Sequence, residues 1–275
     1  MAKDNTDIEN DFSESNEKKE NKNRFPKLIL LFIVVFVVIF CGIYFGFQIY
    51  NQYLTDREPT TVSTTAPTTA PKEEPKVENP IDFKTLQEQN SDIYAWIKID
   101  DTTVDYPIVQ SSVDDNFYLK HRSEDKAWSA SGAIYTESVN KKNFSDSFTL
   151  IYGHNGYGDN MFTALHKFNK EEFFNSHPYF YIYTPERKLT YQVISAFKYD
   201  DRHIMNSFNF ADTKEVTEFQ EFLQNPESAL KNVRTDLDIN IDSSSKIVIL
   251  STCITNQKTN RYLVCGVLVK DEKTY

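Results

Sequence analysis

The sequence predicts a mainly β domain with peripheral helices, preceded by a membrane-spanning segment. Short runs rich in β-branched and aromatic residues recur from residue 95 onward, separated by polar turns, which is typical of strands. Amphipathic helical patterns lie before and between these runs. A long uncharged stretch precedes all of them. Together these observations place one folded domain after an N-terminal anchor.

Eight runs have the length and composition of strands. The predicted strands are Ala95–Ile99, Thr103–Val109, Gly132–Thr136, Ser147–Tyr152, Tyr179–Thr184, Lys188–Lys198, Lys246–Thr252 and Arg261–Lys270.

Helices are predicted at the start of the domain and between the sixth and seventh strands. Ile81–Asn90 forms the first, while residues 159–168 and 169–174 suggest two smaller helical pieces. For the clearest helix, Asp212 is the expected N-cap and Glu215, three residues later, completes a capping box. Pro226 ends the pattern.

Leu28 to Phe47 is an uncharged run of 20 residues, 16 of which are Leu, Ile, Val or Phe. As a helix it would span about 30 Å, the thickness of the bilayer hydrocarbon. Basic residues crowd its N-terminal flank, whereas Arg57 alone lies near the other side. The positive-inside rule therefore predicts a single-pass protein of the cell membrane, with a cytoplasmic N-terminus and an extracellular domain.

Four regions follow from this pattern. Residues 1–27 are polar and charged and are expected to form a disordered cytoplasmic tail. Residues 28–47 are the transmembrane anchor, and residues 48–80 form an extracellular linker rich in Thr and Pro. Residues 81–275 form the folded domain, which is expected to be catalytic because it contains Cys253, His154 and Arg261.

A net charge of -10 argues against a nucleic-acid partner, which requires a basic surface. The histidines and cysteines show no zinc-ligand spacing, so no metal is expected. Of the three cysteines, Cys41 lies in the predicted span. A bridge between Cys253 and Cys265 would require α-carbons within about 7 Å. The apolar run around Cys265 favours a buried, unpaired thiol instead.

Cys253 follows an apolar strand, and polar residues surround it, which is the setting of an accessible nucleophile. Arg261 begins the next strand, where its guanidinium could stabilise an oxyanion but could not act as a base. His154 follows another strand within a glycine-rich loop and is the candidate general acid and base. Asp146 and Asp159 are open alternatives for orienting its ring, and His166 and His177 are expected to be structural.

The segments LSTC, YGHN and NRYLV, which contain these three residues, resemble those of sortases, the cysteine transpeptidases of Gram-positive surfaces. The long connection carrying the Asp212 helix is similar to that of class B sortases. This resemblance implies an eight-stranded sortase-type β-barrel with an N-terminal helix and a helix in the β6/β7 connection. It assigns substrate-binding positions to Tyr152, Ser251 and Asn116, and Thr252 is included as the polar neighbour of Ser251.

The resemblance further implies cleavage of a C-terminal sorting signal of the NPxTx type after Thr, through a thioester on Cys253. The secreted client protein would then be transferred to an amine of a peptidoglycan precursor, and no cofactor is required. Two alternatives remain at this stage. One is a pilin-polymerising sortase that uses a lysine acceptor, and the other is a non-catalytic surface binding domain.

Overall fold

A computed structural model describes residues 38–48, 75–237 and 239–275. The chain divides into two compact units, Met1–Ala70 and Pro71–Tyr275. In the first, residues 38–48 are helical and exposed, while the predicted tail, the first part of the predicted span and most of the linker lie outside the described residues. Among the helices that are described, none combines the length and apolar character needed to cross a membrane.

The second unit is a closed β-barrel. Eight strands follow each other around the ring in the order β5-β1-β2-β3-β4-β8-β9-β6, and pairing between β5 and β6 closes it. A ninth strand, β7, pairs only with β6 and lies outside the ring. The strands are β1 Ile93–Lys98, β2 Asp105–Val109, β3 Ile134–Tyr135, β4 Phe148–Tyr152, β5 Tyr179–Tyr183, β6 Arg187–Asp200, β7 Lys231–Val233, β8 Ile247–Ile254 and β9 Gln257–Lys273.

The eight predicted strands are all present, and the predicted barrel is confirmed. The additional strand β7 has only three residues, too few to give an alternating pattern in the sequence. Strand β9 begins at Gln257 rather than Arg261 because a tight turn at Thr255 and Asn256 lets the chain pair again at once. Asn256 adopts a φ of 61° there, a conformation that Asn tolerates better than most residues.

Strand β8 shows how the two faces of the barrel wall are used. Val248 and Leu250 point into the barrel core, while Ile247 and Ile249 belong to a second apolar cluster outside it. A central strand buried on both faces has no polar alternation, which explains its continuous apolar run. The outer cluster is covered by the helix Thr213–Gln224.

Four short α-helices surround the barrel: α1 Phe83–Gln89, α2 Glu171–Ser176, α3 Ile204–Ser207 and α4 Thr213–Gln224. Two 3-10 helices, Phe117–Leu119 and Phe162–Asn169, complete the set. Asp212 caps α4 as predicted, since its carboxylate accepts a hydrogen bond from the Lys214 amide at 2.8 Å. The predicted capping box does not form, because Glu215 accepts from the Asn209 amide instead.

The packed domain begins before Ile81. Val77 pairs with Thr274 at the end of β9, and its amide donates to the Lys273 carbonyl at 2.9 Å. The Asn79 side chain donates to the Thr184 carbonyl at 2.9 Å. The end of the predicted linker is therefore part of the folded domain.

Candidate active site

Two neighbouring antiparallel strands bring Cys253 and Arg261 side by side. In the β8–β9 ladder these residues lie directly opposite each other. Residues that are directly opposite project from the same face of a sheet. Two positions earlier, Ser251 opposes Leu263, which belongs to the apolar cluster outside the barrel. Cys253, Ser251 and Arg261 therefore share the outer face of the wall.

A parallel pairing brings His154 to the same end of the barrel. Strands β4 and β8 are parallel, and Tyr152 is level with Ser251. The Gly153 amide donates to the Ser251 carbonyl at 3.1 Å, and His154 is the next residue along the chain. Beyond the strands, the Asn155 side chain donates to the Thr255 hydroxyl at 2.9 Å, which joins the two loops. The three residues predicted from the sequence thus lie at one edge of the sheet.

The imidazole of His154 is oriented by a main-chain carbonyl. Its Nε2 lies 2.7 Å from the oxygen of Leu119, in the 3-10 helix Phe117–Leu119. Because a carbonyl oxygen can only accept, Nε2 carries a proton, and Nδ1 is the nitrogen left for proton transfer. The two carboxylates considered from the sequence are used elsewhere: Asp159 pairs with Lys167, and Asp146 accepts from the Lys141 amide.

The guanidinium of Arg261 is held by the hairpin that follows Cys253. Its Nη1 donates to the carbonyl oxygens of Lys258 and Asn260, both at 3.1 Å. In the part of the chain that the structure describes, Arg261 has no carboxylate partner. Its charge and its remaining N–H groups therefore stay available to an oxyanion or a substrate carbonyl.

Tyr152 lies on β4, directly opposite Ser251 of the strand that carries Cys253. Its ring stacks on Tyr135 with the ring centres 5.3 Å apart, and its hydroxyl lies 3.5 Å from Nε2 of His203. His203 in turn contacts the carboxylate of Glu137 at 2.8 Å. Burial raises the pKa of Tyr152 far above its ordinary value, so the hydroxyl remains protonated and can donate to a peptide.

The remaining predicted substrate positions divide into two groups. Ser251 is only 5% exposed and faces the same side as Cys253, while Asn116 is exposed in the turn that precedes Leu119. Thr252 is different, because it opposes Tyr262, whose ring belongs to the core inside the barrel. Its side chain is 2% exposed. The expectation that Thr252 binds substrate beside Cys253 is corrected, since neighbouring side chains of a strand point to opposite faces.

A family model described as the sortase domain matches residues 97–269. This match spans more than half of the chain and includes all three residues at the edge of the sheet. The chain belongs to the sortase family.

Class B sortases are among its relatives. The chain is 32% identical over 192 residues to sortase B of Listeria monocytogenes, a match covering 68% of this chain and 74% of the relative. It resembles the structure of a sortase B–substrate complex from Staphylococcus aureus, with 25% identity, a TM-score of 0.59 and coverage of 68% and 84% of the two chains. A class B sortase of Streptococcus pyogenes involved in pilus biogenesis matches with 32% identity, a TM-score of 0.58 and coverage of 69% and 98%.

Sortases of this class are cysteine transpeptidases, and the present chain is therefore an enzyme of that type. In this sortase the described cysteines are all free, and Cys253 is exposed. Cys265 is completely buried, as predicted, with no disulfide to Cys253. Within residues 38–48, 75–237 and 239–275, no cluster of side chains has the composition of a metal site.

Sequence reasoning missed three features of this sortase site. The Leu119 carbonyl could not be identified because main-chain groups leave no mark in the sequence. The Glu137–His203 pair joins residues 66 positions apart. His166 was expected to be structural, but the contact of its Nε2 with the carbonyl oxygen of Cys253, at 3.1 Å, was not foreseen.

Proposed function

We propose that this sortase is anchored in the membrane and attaches secreted proteins to the cell wall, with Cys253, His154 and Arg261 as its catalytic residues. The observation that carries the proposal is the presence, at one edge of the barrel, of an exposed thiol, an oriented imidazole and a guanidinium that has no carboxylate partner among the described residues. Together these groups can form, stabilise and resolve an acyl-enzyme.

In the first half-reaction, the thiolate of Cys253 attacks the carbonyl carbon of the threonine in the sorting signal, and a C–S bond forms. Arg261 donates hydrogen bonds to the oxyanion of the tetrahedral intermediate. The C–N bond then breaks, and protonated His154 gives its Nδ1 proton to the departing amine. A thioester between the client protein and Cys253 remains.

In the second half-reaction, the amine of a peptidoglycan precursor attacks the thioester carbon. A C–N bond forms, the C–S bond breaks, and the thiolate leaves. The proton lost by the attacking amine returns to His154, which restores the starting state. Without an amine, water can take its place, so slow hydrolysis is expected.

The substrate is proposed to be a C-terminal signal of the NPxTx type, on the strength of the class B relatives. Tyr152, Ser251 and Asn116 are the proposed substrate-binding residues. Tyr152 and Ser251 are paired across adjacent strands, and Asn116 precedes the 3-10 helix whose Leu119 carbonyl bonds His154. Thr252 is left out of this set because its side chain lies inside the barrel.

The anchor is proposed to be residues 28–47, on the strength of their uncharged sequence and the basic residues that precede them. Sortases are cell-envelope enzymes, and this arrangement would place the barrel outside the membrane. The partners proposed are a secreted client protein and a peptidoglycan amine, with no nucleic acid and no cofactor.

Peptide cleavage tests the proposal. The full-length protein in detergent is incubated with quenched NPxTx and LPxTG peptides, with and without an amine acceptor. We expect cleavage of the NPxTx peptide, transfer to the amine, and an acyl-enzyme on Cys253 visible by mass spectrometry. Cleavage of neither peptide, or cleavage that survives Cys253→Ala, would contradict the transpeptidase role proposed for Cys253.

A second candidate is polymerisation of pilin through a lysine acceptor, because one similar class B sortase serves in pilus biogenesis. The same assay separates the two acceptors when a peptidoglycan crossbridge peptide competes with a lysine-containing pilin peptide. Preferential transfer to lysine would favour pilus assembly over wall anchoring.

A further inference from the structure

The pairing between the parallel strands β4 and β8 ends before it reaches Cys253, so the main-chain carbonyl of Cys253 has no hydrogen-bond donor from β4. The Gly153 amide donates to the Ser251 carbonyl, so this oxygen points toward β4. Carbonyl directions alternate along a strand, and the oxygen of Cys253, two residues further, points the same way. Strand β4 has already ended at Tyr152, however. The carbonyl of the nucleophile therefore faces a position from which the neighbouring strand is absent.

His166 occupies that position. Its Nε2 lies 3.1 Å from the Cys253 oxygen, and because a carbonyl only accepts, Nε2–H is the donor. The ring also packs on Tyr262, with the ring centres 5.1 Å apart. Burial lowers the pKa of His166, so the ring is a neutral donor at neutral pH. A side chain thus supplies the hydrogen bond that a strand would otherwise give.

The same 3-10 helix also holds His154. Its first residue, Phe162, donates its amide to the His154 carbonyl at 3.0 Å. The helix is itself fixed in the barrel core, because Phe162, Leu165 and Phe168 are completely buried. Both reactive residues are therefore bonded through their main-chain oxygens to one rigid segment, Phe162–Asn169.

We propose that the 3-10 helix Phe162–Asn169 sets the distance between His154 and Cys253, and that His166 is the positioning residue that holds the nucleophile end. The inference rests on the catalytic roles proposed above for those two residues. His166 does not touch the substrate. It acts by restraining the peptide plane next to Cys253 at the point where β8 leaves its ladder.

Two substitutions separate the hydrogen bond from the packing of the ring. His166→Phe keeps a ring against Tyr262 and removes the donor, whereas His166→Gln places an amide N–H at the distance of Nε2. In the full-length enzyme with a quenched NPxTx peptide, we expect His166→Phe to lower kcat about five- to tenfold, the effect of one lost hydrogen bond, with KM within about twofold. His166→Gln should restore kcat to within about twofold of the wild type.

His177→Phe is the matched control. The ring of His177 also packs on an aromatic residue and also bonds a main-chain carbonyl, both belonging to Phe173, away from the proposed site. Its substitution should leave kcat unchanged. Wild-type kcat in His166→Phe would overturn the proposal, and so would a His166→Gln enzyme as slow as His166→Phe, because the donor would then be irrelevant.

Amide hydrogen exchange measures how firmly the main chain around Cys253 is held, and it does not depend on catalytic activity. A peptic fragment covering residues 250–260 should exchange faster in His166→Phe than in the wild type and at the wild-type rate in His166→Gln. Unchanged exchange in His166→Phe would overturn the proposal even if the enzyme cleaves its peptide. If the wild type cleaves no peptide but His166→Phe still exchanges faster than the wild type, the proposed function is refuted. The proposed positioning role of His166 is then retained.

Discussion

The middle and the end of the β8–β9 ladder each contain a thiol, in opposite surroundings. In the middle, Cys265 lies opposite Ile249 and is completely buried, and burial raises its pKa to about 12. At the end, Cys253 lies opposite Arg261 and is exposed. One pair of strands therefore holds an inert thiol and a candidate nucleophile. What separates them is the place where the ladder opens to solvent.

The two regions also satisfy their main-chain groups differently. In the middle, strand pairs hold the backbone on both sides. At the end, side chains supply these hydrogen bonds. His154 bonds the Leu119 carbonyl, Arg261 donates to the Lys258 carbonyl, and His166 bonds the Cys253 carbonyl. Each of these side-chain hydrogen bonds can be present or absent independently of the others, unlike the repeating bonds of a ladder. The site therefore lies where regular strand pairing ends.

The largest expected difference between the regions is in activity. Cys253→Ala should lower kcat/KM for an NPxTx peptide by at least about 10³-fold, because the acyl-enzyme can no longer form. Cys265→Ala should keep near wild-type activity and lose about 1–2 kcal/mol of unfolding free energy, because it leaves a small cavity. Peptide kinetics and urea unfolding measure both. Loss of activity in a folded Cys265→Ala protein would break the comparison.

Alkylation should separate the two thiols almost as widely. Iodoacetamide should modify Cys253 in the native protein at least about 10³-fold faster than Cys265, which must wait for unfolding to become a thiolate in contact with the reagent. Peptide mapping by mass spectrometry assigns each site. In urea above the unfolding transition the two rates should converge. Comparable alkylation rates of the two thiols in the folded protein would show that Cys265 is accessible to solvent.

Substitution of Arg261 tests whether the guanidinium at the end of the β8–β9 ladder contributes to activity. Arg261→Ala should lower kcat about 10²-fold with a smaller change in KM, because oxyanion stabilisation is strongest in the transition state. Arg261→Lys should recover little, since an ammonium cannot reproduce the fork of donors that also bonds Lys258 and Asn260. Full activity of Arg261→Lys would mean that charge alone is needed there.

Substitution of Gly266 tests how tightly the middle of the β8–β9 ladder is packed. A Cβ at this position would lie 2.4 Å from the Phe180 ring inside the barrel. Gly266→Ala should therefore lower the unfolding free energy by about 1–3 kcal/mol. Gly156→Ala is the control, because its Cβ would meet no atom closer than 3.6 Å. Urea unfolding of both variants gives the comparison, and equal stabilities would contradict tight packing at Gly266.

The smallest expected effect concerns pH. The pKa of His166 is lowered in the folded protein, so the unfolded chain binds this proton more readily. Its contribution to stability is fully present above pH about 6.5 and is lost as the pH falls through the lower folded pKa. His166→Gln should thus lose less stability than the wild type between pH 7.5 and 5.5, by less than about 1 kcal/mol. An equal loss in urea unfolding would contradict the lowered pKa.

Much of the fold was predictable because its signals are local. The eight barrel strands appear as apolar runs, and Asp212 marks the start of α4. Thr252 could also have been assigned correctly, since it is adjacent to Cys253 in a strand and must point to the opposite face. Strand β7 and the Glu137–His203 pair could not, because the first is too short and the second joins distant positions.

Local sequence patterns were enough to identify the side chains suited to chemistry: one thiol in a polar setting, one histidine among glycines and one arginine at a strand start. How these side chains are held depends on contacts between distant residues: the closure of β5 on β6, the parallel pairing of β4 with β8, and the bonds to the carbonyls of Leu119 and Cys253. The physical reason is that composition and alternation act over a few residues, whereas main-chain acceptors are identical at every position and are distinguished only by what folding brings near them.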